Sequence, residues 1–133
     1  METREAARRW AETWQRAWET LDVPAIEALY APGTEYVSAP FRDPDAPIAY
    51  LRRVFAEESE VSPRFGDPIV DGDRAAVQWW AALREDGREI TLAGTSVLRF
   101  DPEGLVVAQW DAWDEVAGRR EPPAGWGTRN TTA

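Results

Sequence analysis

The sequence predicts an α+β domain in which about three N-terminal helices pack in a curved, mostly antiparallel sheet. Three observations carry this. Apolar residues recur at helical spacing as far as Phe55, then alternate with period two after Ser62. Two turn signals, Asp86-Gly87 and Asp101-Pro102-Glu103-Gly104, separate three long strand-like runs. The 133 residues suit one domain, with a core expected over about 4–116 and a packing tail over 118–133.

Between Arg4 and Leu21, Trp10, Trp14, Trp18 and Leu21 fall on one helical face beside Ala7, Ala11 and Ala17. Asp22 then reads as a cap and Pro24 as a first-turn residue of a second helix. Ile26, Leu29 and Tyr30 form its buried side, and Pro32-Gly33 ends it. Thr34 to Ser38 reads as a short strand, and Ala39 to Pro44 as a proline-rich loop. Asp45 is expected to cap a third helix, with Pro47 in its first turn and Ile48, Leu51, Val54 and Phe55 on one face. Arg64 to Val70 carries Pro68 and reads as an edge strand. Arg74–Leu83, Ile90–Phe100 and Leu105–Trp113 then form a meander, the first two joined at Asp86-Gly87. The tail from Gly118 is expected to pack through Trp126, with its last residues frayed.

Composition removes much chemistry. The chain has 24 acidic and 15 basic side chains, a net charge of −9. Every basic residue is Arg; Lys, His and Cys are absent. That excludes thiolate nucleophiles, histidine triads, lysine Schiff bases and thiolate or imidazole metal cages. Acid–base work is left to Asp, Glu or Tyr. The negative charge disfavours nucleic acid as a partner. No apolar run is long enough to span a membrane, and the N-terminus lacks the apolar core of a signal peptide, so a cytoplasmic protein is expected.

The order of these elements, with Asp22-Val23-Pro24-Ala25-Ile26-Glu27-Ala28-Leu29-Tyr30-Ala31 and Leu98-Arg99-Phe100-Asp101-x-x-Gly104-Leu105-Val106, resembles the nuclear transport factor 2-like superfamily. Within it, the chain is most similar to the SnoaL-like branch, over about residues 4–116. The resemblance implies a cone-shaped α+β barrel, with the sheet wrapped around the first helix and a pocket at the open end. Family members include polyketide cyclases, ketosteroid isomerases and epoxide hydrolases.

The resemblance also assigns the faces of the strands. Ser96, Leu98 and Phe100 point into the cone, as do Gln109, Asp111 and Trp113. Counting back from Asp86-Gly87 puts Val77, Trp79 and Ala81 inside; alternation puts Gln78, Trp80, Thr95, Val97, Ala108 and Trp110 outside. Asp111, among Trp14, Trp79 and Trp113, becomes the candidate acid–base residue, with a raised pKa. The alternative is a structural carboxylate that bonds Tyr36 or Ser38 and holds the strand end. Tyr36-x-Ser38-x-Pro40 resembles the Tyr-x-Asn-x-Pro of limonene-type epoxide hydrolases, whose Tyr and Asn help position water, and Asp111 matches a water-activating Asp of that family. Its Arg and acid Asp have no counterpart on the strand carrying Val77, Gln78, Trp79 and Trp80. The ketosteroid isomerase base falls at Ser38, and its oxyanion donors fall at Trp14 and Ser96, so that constellation is absent.

The expected site is therefore Asp111, Tyr36 and Ser38 for chemistry. Trp14, Trp79, Ser96, Leu98, Gln109 and Trp113 are expected to bind an apolar or aromatic ligand. No cofactor is expected, and no metal, because Asp111 is expected to be the lone carboxylate inside. Trp10 and Trp18 read as helix-to-sheet core. Arg42 reads as a surface ion-pair residue or as a partner for a substrate carboxylate at the pocket mouth. Trp80 and Trp110 form an outer apolar patch that a homodimer would cover. Two functions stay open: a cofactor-free acid–base enzyme (a cyclase, isomerase or hydrolase), or a non-catalytic ligand-binding or dimerisation domain.

Overall fold

The computed structural model describes residues 1–128. Its elements run α1 (Thr3–Thr20), α2 (Val23–Glu27), β1 (Tyr30–Val37), α3 (Pro47–Phe55), β2 (Glu58–Phe65), β3 (Ile69–Asp71), β4 (Arg74–Glu85), β5 (Arg88–Phe100) and β6 (Val106–Ala117). The sheet order is β1-β6-β5-β4-β2, with β3 also paired to β4. Among the described residues, only the β1–β6 pair is parallel. The helices lie against a curved, mostly antiparallel sheet, the α+β architecture expected.

α1 buries Ala6, Ala7, Trp10, Ala11, Trp14, Ala17 and Trp18. The small Ala side chains let the helix sit close to the sheet, while the indoles fill the space on either side. The helix stops at Leu21, which takes a left-handed φ of 55°, and the Asp22 N–H closes back on the Ala17 carbonyl at 2.8 Å. Asp22 then caps α2, its carboxylate accepting from the Ala25 N–H.

Several boundaries differ from expectation. α2 ends at Glu27, so Tyr30 opens β1 and Pro32-Gly33 lies inside that strand. β1 is an edge strand whose register with β6 shifts between Tyr30 and Glu35, and an edge tolerates a residue without an N–H. α3 is capped at Ala46 without a side-chain bond; Asp45 instead accepts from the Ala46 N–H and pairs with Arg53 at 2.7 Å. The stretch 64–70 belongs to two strands, β2 and β3, which flank Pro68 and share β4 as neighbour. β2 begins six residues earlier than Arg64, at Glu58.

The β4–β5 hairpin turns on Asp86 and Gly87, both with positive φ, 51° and 80°, which matches the twist of the strands. Gly94 faces Trp79 and Trp113 across its neighbouring strands. A Cβ there would stand 2.4 Å from the Ala112 carbonyl oxygen and 2.6 Å from the Trp113 Cβ. Glycine therefore lets β5 and β6 close together where the sheet curls between the two indoles.

The tail packs on the outer face of the sheet. The Asp67 N–H bonds the Gly127 carbonyl at 2.6 Å, and the Arg120 carbonyl accepts from Trp80 Nε1 at 2.8 Å. Trp126 meets Trp80 edge-on, with centroids 5.9 Å apart, and Arg64 lies over the Trp126 ring. The chain's own tail thus covers part of the patch assigned to a second copy, while Trp110 remains 36% exposed. The residues expected to fray, 129–133, lie outside those described.

Candidate functional site

β6 presents Gln109, Asp111, Trp113 and Glu115 on its inner face, every second residue of one strand. β5 adds Leu92 and Ser96, β4 adds Trp79 and Glu85, and β2 adds Glu58 and Phe65. α1 closes the floor with Trp10, Trp14 and Trp18, and α3 supplies Tyr50, Leu51, Val54 and Phe55. Together with Tyr36 these side chains enclose a cavity of about 100 Å³.

Asp111 sits in its wall, 8% exposed. Its Oδ1 accepts from Ser96 Oγ at 2.6 Å and from Gln109 Nε2 at 3.0 Å. Its Oδ2 accepts from the Tyr36 hydroxyl at 2.6 Å. Four further bonds set the direction of this network. Trp79 Nε1 donates to Ser96 Oγ at 3.0 Å, which leaves the Ser96 proton free for Asp111. Trp10 and Trp14 both donate to the Tyr30 hydroxyl at 3.1 Å, and Tyr30 donates to Gln109 Oε1 at 2.6 Å. An indole N–H can only donate. The indoles therefore orient the Ser96 hydroxyl and, through Tyr30, the Gln109 amide so that each donates to Asp111.

Burial pushes the Asp111 carboxyl from its ordinary 3.8 up to about 6; the bonds from Ser96, Tyr36 and Gln109 oppose the rise. Tyr36, buried against the same carboxylate, has its own pKa raised well above 10.0, so it stays a donor. With two donors already on Oδ1, an arriving proton settles on Oδ2.

A second carboxylate stands in the same wall. Glu58 Oε1 accepts from Trp18 Nε1 at 2.8 Å, and burial raises its pKa from 4.5 to about 7. The expectation that Asp111 is alone inside is therefore corrected. Glu58 falls in the acidic stretch Glu57-Glu58-Ser59-Glu60, where no periodicity reveals the strand that turns one glutamate inward. Among the described residues no group of three or more acidic side chains is arranged to hold a metal ion.

The other expected site residues separate. Trp14, Trp79, Ser96, Gln109 and Trp113 border the cavity, and so do Trp10 and Trp18, read from sequence as plain core. Leu98 does not: it is wholly buried two residues beyond Ser96 on β5, opposite Gln109. Ser38 also lies outside the lining. Its hydroxyl accepts from Arg42 Nη1 at 3.2 Å and its carbonyl from Trp113 Nε1 at 2.6 Å, so the hydroxyl bonded to Asp111 belongs to Ser96 instead. The reason is register: Ser96 pairs directly with Asp111, whereas Ser38 lies just beyond the end of β1. Arg42 stacks on Trp113 at 5.4 Å, beside the Tyr50 hydroxyl. Tyr30, the relay to Gln109, reads in sequence as a helix-core residue because its strand opens without an alternating pattern.

No helix among the described residues is long and apolar enough to cross a membrane. A sequence comparison with curated proteins finds no match. Similar solved structures include a limonene-epoxide-hydrolase-like epoxide hydrolase of Mycobacterium tuberculosis, with 17% identity, a TM-score of 0.69, and 85% and 86% of the two chains covered. Another is SalBIII, an epoxide hydrolase/cyclase-like enzyme of pyran ring formation in the polyether salinomycin, with 18% identity, a TM-score of 0.71, and 85% and 95% covered. PrhC of Penicillium brasilianum gives 16% identity and a TM-score of 0.73, with 85% and 83% covered. At these identities the likeness is one of fold. The model of the SnoaL-like domain matches residues 7–109, most of this chain and the greater part of its sheet. The chain belongs to the SnoaL-like domain family.

Proposed function

We propose that the protein is a cofactor-free acid–base enzyme acting on a small, largely apolar molecule, by proton transfer or by addition of water. Asp111 is the general base, Tyr36 holds it, and Ser96 and Gln109 complete the cradle. The observation that carries this reading is the buried carboxylate with three donors, set in the wall of an aromatic cavity. A pKa near 6 leaves Asp111 ionised at neutral pH yet basic enough to take a proton. Proton acceptance on Oδ2 gives a neutral acid that can return the proton in the same turnover. The epoxide hydrolase and cyclase-like relatives of this fold are consistent with such chemistry.

The test uses two substrate panels: hydration of small aryl epoxides, and deuterium uptake beside the carbonyl of small cyclic ketones. Asp111→Asn keeps the shape and removes the base. It is expected to lower turnover of any active member by about 10²-fold or more. Undiminished turnover in the variant contradicts the assignment.

A further inference from the structure

The cavity has an acidic end that Asp111 does not explain. Glu58, the first residue of β2, pairs directly with Glu85, the last of β4. Like charges directly opposite in a ladder disfavour the sheet, and both of these border the cavity. Glu115, on the inner face of β6, joins them there. Repulsion adds to burial at this end: Glu85 and Glu57 raise the Glu58 pKa further, and Glu115 and Glu57, with Asp86 last, raise that of Glu85, opposed by Arg88. Among the described residues no arginine borders the cavity; Arg42 lies on the Trp113 ring without lining it. The remaining wall is largely aromatic and includes five of the eight tryptophans. Indole faces attract cations, and most strongly where water is scarce.

Crowded carboxylates and a largely aromatic wall, with no arginine among the described lining residues, define a complementary ligand. We propose that this end of the cavity binds the protonated amine of an otherwise apolar molecule, with Glu58 as its ion partner. The proposal rests on the reading of the cavity as a substrate site and adds the class of substrate. Glu115 lies four residues from Asp111 on one strand, roughly 13 Å at 3.3 Å per residue. A substrate amine held at Glu58 and Glu115 therefore places the reacting carbon at Asp111 across an apolar span of that order. Trp18 Nε1 occupies Glu58 Oε1 and leaves Oε2 for the ammonium.

The experiment compares three probes of one shape by tryptophan quenching and calorimetry: 2-phenylethylammonium, 2-phenylethanol and phenylacetate. At about pH 8 the ammonium is expected to bind roughly tenfold more tightly than the alcohol, and phenylacetate least. The preference should shrink as pH falls below about 7, where Glu58 takes up its proton while the amine keeps its charge. Glu58→Gln should reduce the ammonium to the affinity of the alcohol and leave the alcohol unchanged. Equal binding of ammonium and alcohol, or a preference that survives Glu58→Gln, overturns the amine assignment and leaves the apolar site standing. Binding of none of the three overturns both. Asp111→Asn in the turnover assay tests the acid–base reading separately.

Discussion

Tyr30 donates a 2.6 Å hydrogen bond to Gln109 Oε1 while its oxygen accepts from the indoles of Trp10 and Trp14. Because the indoles cannot accept, this bond has only one direction. It fixes which end of the Gln109 amide faces Asp111, and the end it selects is the donor. A helix residue at position 10 or 14 thus reaches the catalytic candidate through two side chains.

Tyr30→Phe is expected to break that relay. Two buried indole N–H groups lose their acceptor, and Gln109 Oε1 loses the donor that holds its amide against Asp111. Stability should fall by about 1–3 kcal/mol, measured by urea unfolding. The Asp111 pKa should rise above its parent value, because a donor to the carboxylate is lost. An unchanged pKa means that Gln109 is held by packing alone.

Ser96→Ala removes another donor to Asp111 and leaves Trp79 Nε1 without its acceptor. It too should raise the Asp111 pKa, and it is expected to cost about 1–3 kcal/mol. Ser38→Ala serves as the contrast. Its hydroxyl meets Arg42, so the Asp111 titration should not move.

Asp111 and Glu58 both have folded pKa values above their ordinary ones, about 6 and about 7. The folded protein therefore binds more protons than the unfolded chain between those limits. Stability from these groups is full below about pH 4 and is lost as pH rises through 6 to 7. Glu58→Gln should flatten the upper part of this slope. At pH 8 it should make the protein more stable than the parent, by on the order of 1–3 kcal/mol. Urea unfolding of the two proteins across this pH range checks the sign.

Trp126 in the tail covers Trp80. Trp126→Ala should cost about 1–2 kcal/mol and enlarge the apolar outer face that Trp110 already extends. Static light scattering against concentration should then show more self-association than in the parent. A variant as stable and no stickier than the parent removes the tail from the account.

The meander was legible in the sequence because its turns are strong signals and its strands alternate. Asp86-Gly87 sets the register of β4 against β5, and counting back from it gives the inward residues of β4. The inward faces of β5 and β6, and with them Asp111 among indoles, were legible through the family resemblance. What was not legible depends on pairings between distant segments. Ser96 and Ser38 look equivalent in sequence, and only the β5–β6 register gives Asp111 to Ser96. Glu58 was hidden in an acidic run, and the start of β2 leans on β4 rather than on any pattern of its own. Tyr30 was hidden because five residues of helix precede it and a proline follows it within the strand. The tail's place on Trp80 depends on a close backbone approach of Gly66 and Gly127, which no local pattern announces.

The central claim is that Asp111 is a buried, proton-accepting carboxylate, and a titration of its carboxyl carbon by NMR tests it most directly. The resonance is assigned by its loss in Asp111→Asn. The account predicts a midpoint near 6, moving upward in Tyr30→Phe and in Ser96→Ala. A midpoint at the ordinary aspartate value of about 3.9, unmoved by either variant, would contradict it.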